Sequence, residues 1–184
     1  MTTLASLIRD ALIDINKNKY EPDLKPPLMN AVEISKEAIL HEGDAPIAGI
    51  RGPPGTGKTK VMEGLINDKK VIDEILEKNY KFVYIAPTNE LTTNGFERAL
   101  RPIIRRLQES GFSIEEILSK IRIYGSAVPS PYFGNDLKEL RKDANVSDDV
   151  LRKMVYGGID DALFIFTTDY QRVSSSLRRH VDNP

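Results

Sequence analysis

A run of glycines and prolines that ends in lysine and threonine is the part of this sequence best able to do chemistry. It reads GIRGPPGTGKTKV over residues 49–61. Gly52, Gly55 and Gly57 permit backbone conformations closed to residues with a Cβ atom, so several N–H groups can point into one concavity. A helix that begins near Lys58 would add its own N–H groups and the positive end of its dipole. The run therefore predicts a nest for a polyphosphate.

The spacing of this run assigns roles to individual residues. Gly52-x-x-x-x-Gly57-Lys58-Thr59 is the complete phosphate-loop pattern. Lys58 places a positive charge near the β and γ phosphates, and turnover is expected to depend on it, while Thr59 offers its hydroxyl to Mg²⁺. The predicted cofactors are thus ATP and Mg²⁺. The predicted nucleotide-binding residues, called the phosphate loop below, are Gly52, Pro53, Pro54, Gly55, Thr56, Gly57, Lys58 and Thr59. The alternative is a glycine-rich turn that only joins a strand to a helix.

Two helices are predicted before the phosphate loop. Apolar residues recur at helical spacing from Leu4 to Ile15, and residues 28–41 continue with a second helical pattern. A proline-containing connector, KYEPDLKPP, separates the two. We therefore expect residues 1–45 to be an N-terminal helical segment and residues 46–184 to form the unit that contains the phosphate loop.

Strand and helix patterns alternate through that second unit. Short apolar runs, most of them rich in β-branched and aromatic residues, predict strands at 47–50, 81–87, 120–128 and 162–168. Helical patterns are predicted at 58–79, 89–110, 136–157 and 169–181. The first of these helices is expected to contain one interruption, and Pro102 is expected to kink or split the second. Such alternation is typical of βαβ units and predicts an α/β fold with a parallel sheet.

Four segments carry a resemblance to a known family. They are GPPGTGKT, FVYIAPTNELTTNGFERAL, IRIYGSAVPSP and ALFIFTTDYQRVSS, in this order. The order resembles the first RecA-like domain of superfamily 1 helicases, in the 5′-to-3′ branch that includes the nonsense-mediated-decay helicase, and it covers about residues 46 to 176. The resemblance implies a partial RecA-like P-loop domain, a parallel sheet flanked by helices, and an ATP-dependent helicase as the activity.

The same resemblance implies a path for nucleic acid. In the family, the APT[SN] segment after the second strand contacts the backbone of single-stranded nucleic acid, which points to Pro87, Thr88 and Asn89 here. Thr167, in the strand-end sequence IFTT, resembles a later threonine motif with a similar role. The implied partners are single-stranded DNA or RNA and the remaining helicase domains, in cis or in trans. The alternative for Thr88 and Asn89 is that they only cap a helix.

Other side chains could also contact nucleic acid, but each of them could equally have a purely structural role. Arg98, Arg101, Arg105 and Arg106 share a helical face that could guide a phosphate backbone, or that could simply be solvated. Tyr124 could stack on a base, as could the aromatic pair at 132–133, or these rings could serve packing alone.

The acidic pair that the family uses in hydrolysis has no clear counterpart. One carboxylate should hold Mg²⁺ through water and another should orient the attacking water, and the family places both at the end of a later strand. Asp73 and Glu74 are adjacent but fall within the helix after the phosphate loop. Asp169 follows the fourth strand and is a candidate substitute, although Tyr170 stands where the glutamate is needed. The chain is therefore expected to be the front portion of a longer helicase or a natural remnant of one.

Composition narrows the remaining possibilities. The formal net charge of −1 does not favour long-range attraction to nucleic acid, so any such contact must come from local groups. The absence of cysteine excludes disulfides, zinc–thiolate sites and cysteine nucleophiles. No apolar run approaches membrane-spanning length, so no contact with a membrane is expected, and the predicted location is cytoplasmic.

Two further classes of protein remain as alternatives to a helicase. Ring-forming AAA+ ATPases also favour GPPGTGKT, but they should have an apolar strand ending in Asp-Glu much closer to the phosphate loop than anything in this sequence. A nucleotide-dependent binding module that does not hydrolyse ATP is the other alternative, and the lack of an acidic pair favours it for the chain taken alone.

Overall fold

The computed structural model of this protein describes residues 3–17, 22–40, 53, 55–124, 141–142 and 144–168. Within these residues, helices flank a small parallel sheet in a mixed α/β fold. The helices are α1 (Leu4–Asn16), α2 (Pro26–Leu40), α3 (Lys58–Asn67), α4 (Lys69–Glu77), α5 (Asn89–Glu109), α6 (Ile114–Ser119) and α7 (Asp148–Tyr156). The strands are β1 (Phe82–Ala86), β2 (Ile121–Ile123) and β3 (Phe164–Thr168). The strand expected at 47–50 and the helix expected at 169–181 lie outside the described residues.

The two predicted N-terminal helices are confirmed, and they share the core of the molecule. α1 begins at a capping box in which the backbone N–H of Ser6 donates to the Thr3 hydroxyl and the N–H of Thr3 donates to the Ser6 hydroxyl, each at 3.0 Å. Its apolar face, with Leu4 and Ile8 fully buried, belongs to the same hydrophobic cluster as α3 and α5. Residues on either side of the proposed division at 45/46 therefore pack into one core.

The helix predicted over 58–79 contains the expected interruption, at Asp68. Asp68 has extended backbone angles, φ −76° and ψ 124°, so α3 ends and α4 starts anew. Its carboxylate accepts from the N–H of Lys70 at 2.9 Å and from that of Val71 at 3.4 Å. It also pairs with Lys36 of α2 at 3.2 Å. Asp68 is thus the N-cap of α4, and its carboxylate accepts hydrogen bonds from backbone N–H groups that have no partner within the helix.

β3 lies between β1 and β2, and all three strands are parallel. Tyr84 of β1 lies opposite Phe166 of β3, and Phe96 of α5 meets Phe166 edge-on with ring centroids 5.6 Å apart. α5 therefore covers this face of the sheet. Val83 and Ile85 alternate with these positions and so point to the other face, where they are 37% and 36% exposed.

α5 is unbroken across Pro102, so the expectation that proline splits this helix is wrong. Proline removes one backbone donor and crowds the carbonyl one turn earlier, which destabilises a helix interior. Here Ala99, Ile103 and Leu107 are fully buried on the same helix. Their packing holds the 21-residue helix together despite the lost hydrogen bond.

α6 was not predicted, although its start carries a sequence signal. The N–H of Glu116 donates to the Ser113 hydroxyl at 3.2 Å, and the Glu116 carboxylate accepts from the N–H of Ser113 at 2.8 Å. This is the capping box, written in the sequence as Ser-x-x-Glu. The helix is short because Lys120 ends it directly before β2.

A buried arginine forms hydrogen bonds to residues 158–161, which lead into β3. Arg122 of β2 is 0% exposed, and its guanidinium donates to the carbonyls of Gly158 and Ser119, both at 2.7 Å. It also donates to the Asp161 carboxylate at 2.6 Å. Burying a cation is costly unless it is paired and hydrogen-bonded, and these partners meet that requirement.

A lysine holds the same segment from the side of β1. The ammonium of Lys81 donates to the carbonyl oxygens of Ile159, Asp160 and Ala162 at 2.8, 3.0 and 2.9 Å. Burial lowers the pKa of Lys81, and the nearby acids Asp160 and Asp161 oppose that change. The amino ends of all three strands are thus connected through residues 158–162.

Candidate functional site

The described part of the phosphate loop has the backbone that its glycines predict. Gly55 and Gly57 have φ angles of +81° and +86°, in the left-handed region that favours glycine. Between them, the Thr56 hydroxyl donates to the Pro53 carbonyl at 2.8 Å. The chain therefore turns back over Pro53 directly before α3. Gly52 and Pro54 lie outside the described residues.

α3 begins with a glycine cap and a lysine. Gly57 is the N-cap and has no side chain that could accept from the first turn of the helix. Lys58, the first residue of α3, is exposed, and its ammonium donates to the Pro53 carbonyl at 2.9 Å. A positive charge thus lies over the loop and beside the positive end of the helix dipole.

The residues present fit a bound triphosphate with magnesium. Left-handed glycines, a helix start without a side-chain cap and an ammonium group meet at one short segment, residues 55–58. Mg²⁺ needs few protein ligands, since phosphate oxygens and water complete its shell, and the Thr59 hydroxyl can supply one. Among the described residues, no group of three or more His, Cys, Asp or Glu side chains could hold a metal ion by itself.

Tyr84 of β1 is half-buried, and its ring meets Phe166 of β3 with centroids 5.9 Å apart. Burial raises the pKa of Tyr84, and the Thr59 hydroxyl acts in the opposite direction.

A cleft of about 550 Å³ extends from Thr59 between α3 and α5. The residues lining it are Thr59, Glu63, Leu91, Asn94, Glu97, Arg98 and Arg101. Glu63 is only 7% exposed, and one of its carboxylate oxygens lies 3.7 Å from a guanidinium nitrogen of Arg98. Burial raises the pKa of Glu63, while Arg98 and Arg101 act to lower it. The only sequence signal for Glu63 was a lone acid in the apolar run VMEGLI.

The four arginines of α5 form ion pairs with acidic side chains. Arg98 pairs with Glu63, and Arg101 pairs with Asp14 of α1 at 2.6 Å. The remaining two, Arg105 and Arg106, both pair with Glu109 on the same helix. These ion pairs link α5 to α1 and α3 and join residues within α5 itself. Arg98 is exposed and the other three arginines are half-buried, and contact of this face with a phosphate backbone stays a prediction.

The APTN segment lies at the carboxyl end of β1, where α5 begins. Pro87 and Thr88 are exposed, and Asn89 is half-buried. Thr88 is the N-cap of α5, and its hydroxyl accepts from the N–H of Leu91 at 3.2 Å. The capping role considered for Thr88 is thus confirmed, and contact of these residues with nucleic acid stays a prediction.

Thr167 lies beneath that surface. It is 1% exposed, and its carbonyl accepts from the Thr92 hydroxyl of α5 at 3.2 Å. Its own hydroxyl donates to the Thr168 carbonyl at 3.3 Å. The structure therefore shows a packing role for Thr167, and its predicted contact with nucleic acid depends on the resemblance alone.

The other candidates from the sequence divide between packing and segments that are not described. The Tyr124 hydroxyl donates to the Gly157 carbonyl at 2.7 Å, and its ring packs against the small cluster around Ile165. Asp73 forms an ion pair with Lys69 within α4, at 2.6 Å. Residues 132–133, Asp169 and Tyr170 lie outside the described residues.

No protein-family model, curated protein or solved structure matches this chain. Among the described residues, no helix is both long and apolar enough to span a membrane.

Proposed function

We propose that this chain is the ATP-binding part of a superfamily 1 nucleic-acid helicase or translocase, and that residues 46–184 form part of a RecA-like P-loop domain. The observation that carries the proposal is the backbone of the phosphate loop. Gly55 and Gly57 are both left-handed directly before α3, and the Lys58 ammonium lies over the same turn. The parallel sheet flanked by helices supports the fold assignment.

Each residue of the loop has a definite task in this proposal. The N–H groups of the loop and of the first turn of α3 bind phosphate oxygens, and Lys58 moves from the Pro53 carbonyl to the β and γ phosphates. Thr59 binds Mg²⁺ through its hydroxyl, and the ion, when bound, neutralises charge on the phosphates. The work of these residues is binding and orientation.

Single-stranded DNA or RNA is the proposed partner at the carboxyl end of β1. Pro87 and Thr88 are exposed there, and the first turn of α5 offers N–H groups to a phosphate backbone. The proposed site is close to the phosphate loop, because Thr59 and Leu91, in the first turn of α5, line the same cleft.

Hydrolysis requires groups beyond those in the described part of the chain. No described strand ends in an Asp-Glu pair, and the nearest candidate by sequence, Asp73, forms an ion pair on α4. We therefore propose that the Asp-Glu pair belongs to a later strand of the same RecA-like domain and that full turnover also needs the second domain. Asp169, the candidate substitute in this chain, lies outside the described residues. The chain alone is expected to bind ATP without full turnover.

The decisive experiment compares Lys58→Ala with Lys60→Ala. Both lysines are on α3, but Lys60 reaches the Asp23 carbonyl at 3.1 Å rather than the loop. We expect Lys58→Ala to weaken binding of a fluorescent ATP analogue with Mg²⁺ by at least about tenfold, since hydrogen bonds to charged groups contribute about 1.5 to 3 kcal/mol. Lys60→Ala should bind like the wild type. Equal affinity of the wild type and Lys58→Ala would refute the phosphate-loop assignment.

A nucleotide-dependent binding module is the second candidate, and the lack of an acidic pair among the described strands favours it. ATP hydrolysis by the chain is measured with and without single-stranded DNA or RNA. Stimulation by nucleic acid supports the helicase and contradicts the module. ATP binding that produces no hydrolysis under either condition supports the module or a helicase portion that lacks its acidic pair.

A further inference from the structure

The sheet is covered on both faces at β2 and β3, but on one face only at β1. All residues of β2 and of β3 are buried. In β1, by contrast, Val83 and Ile85 are 37% and 36% exposed. They lie on the face opposite α5, which they share with Ile165 of β3 and which is called the outer face below. Parallel sheets are normally buried on both faces, so the cover of the outer face is incomplete at β1 within the described residues.

The cover of the outer face stops between β3 and β1. Ile165 is 1% exposed because it packs with Ile159, Ala162 and Tyr124. Its partner in the register of the sheet is Val83, one strand spacing of about 4.8 Å away. The apolar surface therefore continues from a buried residue of β3 to an exposed residue of β1.

The path of the chain indicates which segment completes this cover. α5 lies on the inner face of the sheet and belongs to the connection that leads from β1 past β3 to β2. Connections between parallel strands are right-handed in about 98% of cases. A right-handed connection that leaves β3 in the opposite direction, towards β1, therefore runs over the outer face. The segment that enters such a connection is the one after Thr168.

The sequence of that segment suits an apolar surface of this size. Residues 169–181 lie outside the described residues, and their sequence predicts a helix. Val173, Leu177 and Val181 recur at every fourth position, which places them on one side of that helix. A helix over this range spans about 20 Å, and β1 spans about 17 Å.

We propose that residues 169–181 pack as a helix over the outer face of β1. The helix runs antiparallel to the strand, so Val173 covers Ile85 near the carboxyl end. Leu177 covers Val83, which is nearer the amino end. The spacing of the two pairs agrees, because four helical residues rise about 6 Å and two strand residues about 6.6 Å. This inference goes beyond the proposed function, since it concerns how the sheet is completed.

The first test uses pairs of cysteines, because the sequence contains none of its own. Val83→Cys is combined with Leu177→Cys in the whole chain and treated with a short bifunctional maleimide. We expect an intramolecular link in most molecules. Ile34→Cys with Leu177→Cys is the control pair. Ile34 is 55% exposed on α2, which packs against α3, so its thiol is accessible but lies away from the outer face.

The second test measures how well the segment covers the strand. Leu177→Asp should raise the rate at which the thiol of Val83→Cys reacts with a maleimide by about tenfold or more, the factor equivalent to burying a leucine side chain. Ser175→Asp is the matched control, because position 175 is on the opposite side of the predicted helix from 173 and 177. It should leave the rate unchanged. Both variants are compared once circular dichroism has shown the wild-type spectrum.

The outcomes decide this inference without reference to nucleotide binding. It is overturned if the pair at 83 and 177 links no more often than the control pair, or if Leu177→Asp leaves the labelling rate unchanged. Links between two molecules instead of within one would assign the outer face to a second copy of the chain and overturn it as well. None of these results depends on Lys58 or the phosphate loop, so the proposed function stands or fails separately.

Discussion

Glu63 is an acidic residue in a buried position. It lies on α3 one helical turn beyond Thr59, and it is buried where α3 packs against α5. Water is the best solvent for a carboxylate, so burial favours the protonated form and raises the pKa of Glu63. The guanidinium of Arg98 opposes this only in part, because its nearest nitrogen is 3.7 Å away. The ion pair of Glu63 therefore connects α3 to α5 at some cost in stability near neutral pH.

Because Glu63 is buried, we expect the stability of the protein to depend on pH, and Glu63→Gln should remove this dependence. In the folded protein the pKa of Glu63 is raised above its ordinary value of 4.5, so Glu63 keeps its proton to a higher pH than in the unfolded chain. The free energy of unfolding therefore falls as the pH rises from 4.5 through the raised pKa. We expect the difference between wild type and Glu63→Gln to decline across this window and to level off above it. Urea unfolding at a series of pH values measures the difference.

A second variant checks the cause of that dependence. Arg98→Gln removes the largest influence that lowers the pKa of Glu63, so the decline should extend to higher pH. If the difference between wild type and Glu63→Gln instead rises with pH, the ion pair with Arg98 outweighs burial, and the prediction is wrong.

Among the elements, the junction between α3 and α4 depends on a single side chain. Asp68 caps α4 through two backbone N–H groups and pairs with Lys36 of α2. Its carboxylate therefore fixes the angle at which α4 leaves α3 and fastens both to the N-terminal helices. Without this carboxylate, the first backbone N–H groups of α4 would have to form hydrogen bonds to water instead.

Asp68→Ala should accordingly destabilise the protein by about 1 kcal/mol, within the range of about 0.5 to 2 kcal/mol found for lost N-caps. Asp73→Ala is the control, since Asp73 is on the same helix and forms one ion pair with Lys69. Its cost should be below about 0.5 kcal/mol. Urea unfolding of both variants measures the two costs, and equal values would show that capping by Asp68 contributes nothing special.

Elements with local signals were predictable, and elements decided by packing were not. The start of α3 follows from Gly57 and Lys58, and the helical pattern predicts an interruption without giving its position at 68. The helix over 89–110 was also predicted, but Pro102 does not split it, because propensity is local whereas the burial of α5 is not. The phosphate loop was likewise readable from spacing, since it is one continuous segment. The cleft that Thr59 shares with α5 was not, because two elements far apart in the sequence form it.

At the scale of the whole molecule, the two ends of the sheet differ. At the amino ends of the strands, Arg122 and Lys81 hold residues 158–162 through charged hydrogen bonds. The carboxyl end of β1 leads into the exposed residues Pro87 and Thr88, and the first turn of α5 that follows shares a cleft with Thr59 of α3. Ligand sites at the carboxyl ends of strands are the rule in parallel α/β sheets. The polar network at the other end is therefore expected to serve stability alone.

Lys81→Met tests this division between the two ends. The change removes an ammonium that donates to three carbonyl oxygens, and it leaves those acceptors without that partner. We expect a loss of about 2 kcal/mol in unfolding free energy, since hydrogen bonds to charged groups contribute about 1.5 to 3 kcal/mol. Nucleotide affinity of the folded variant should be unchanged, because Lys81 contacts residues 159–162 and none of the residues proposed to bind the nucleotide.

Lys69→Met is the control for Lys81→Met, since Lys69 is an exposed lysine with a single ion pair to Asp73. It should cost less than about 0.5 kcal/mol and leave nucleotide affinity unchanged. Amide hydrogen exchange locates the effect, because protection in β3 should fall in Lys81→Met and stay constant in Lys69→Met. Weaker nucleotide binding by fully folded Lys81→Met would mean that the amino ends of the strands are coupled to the site, against the division argued here.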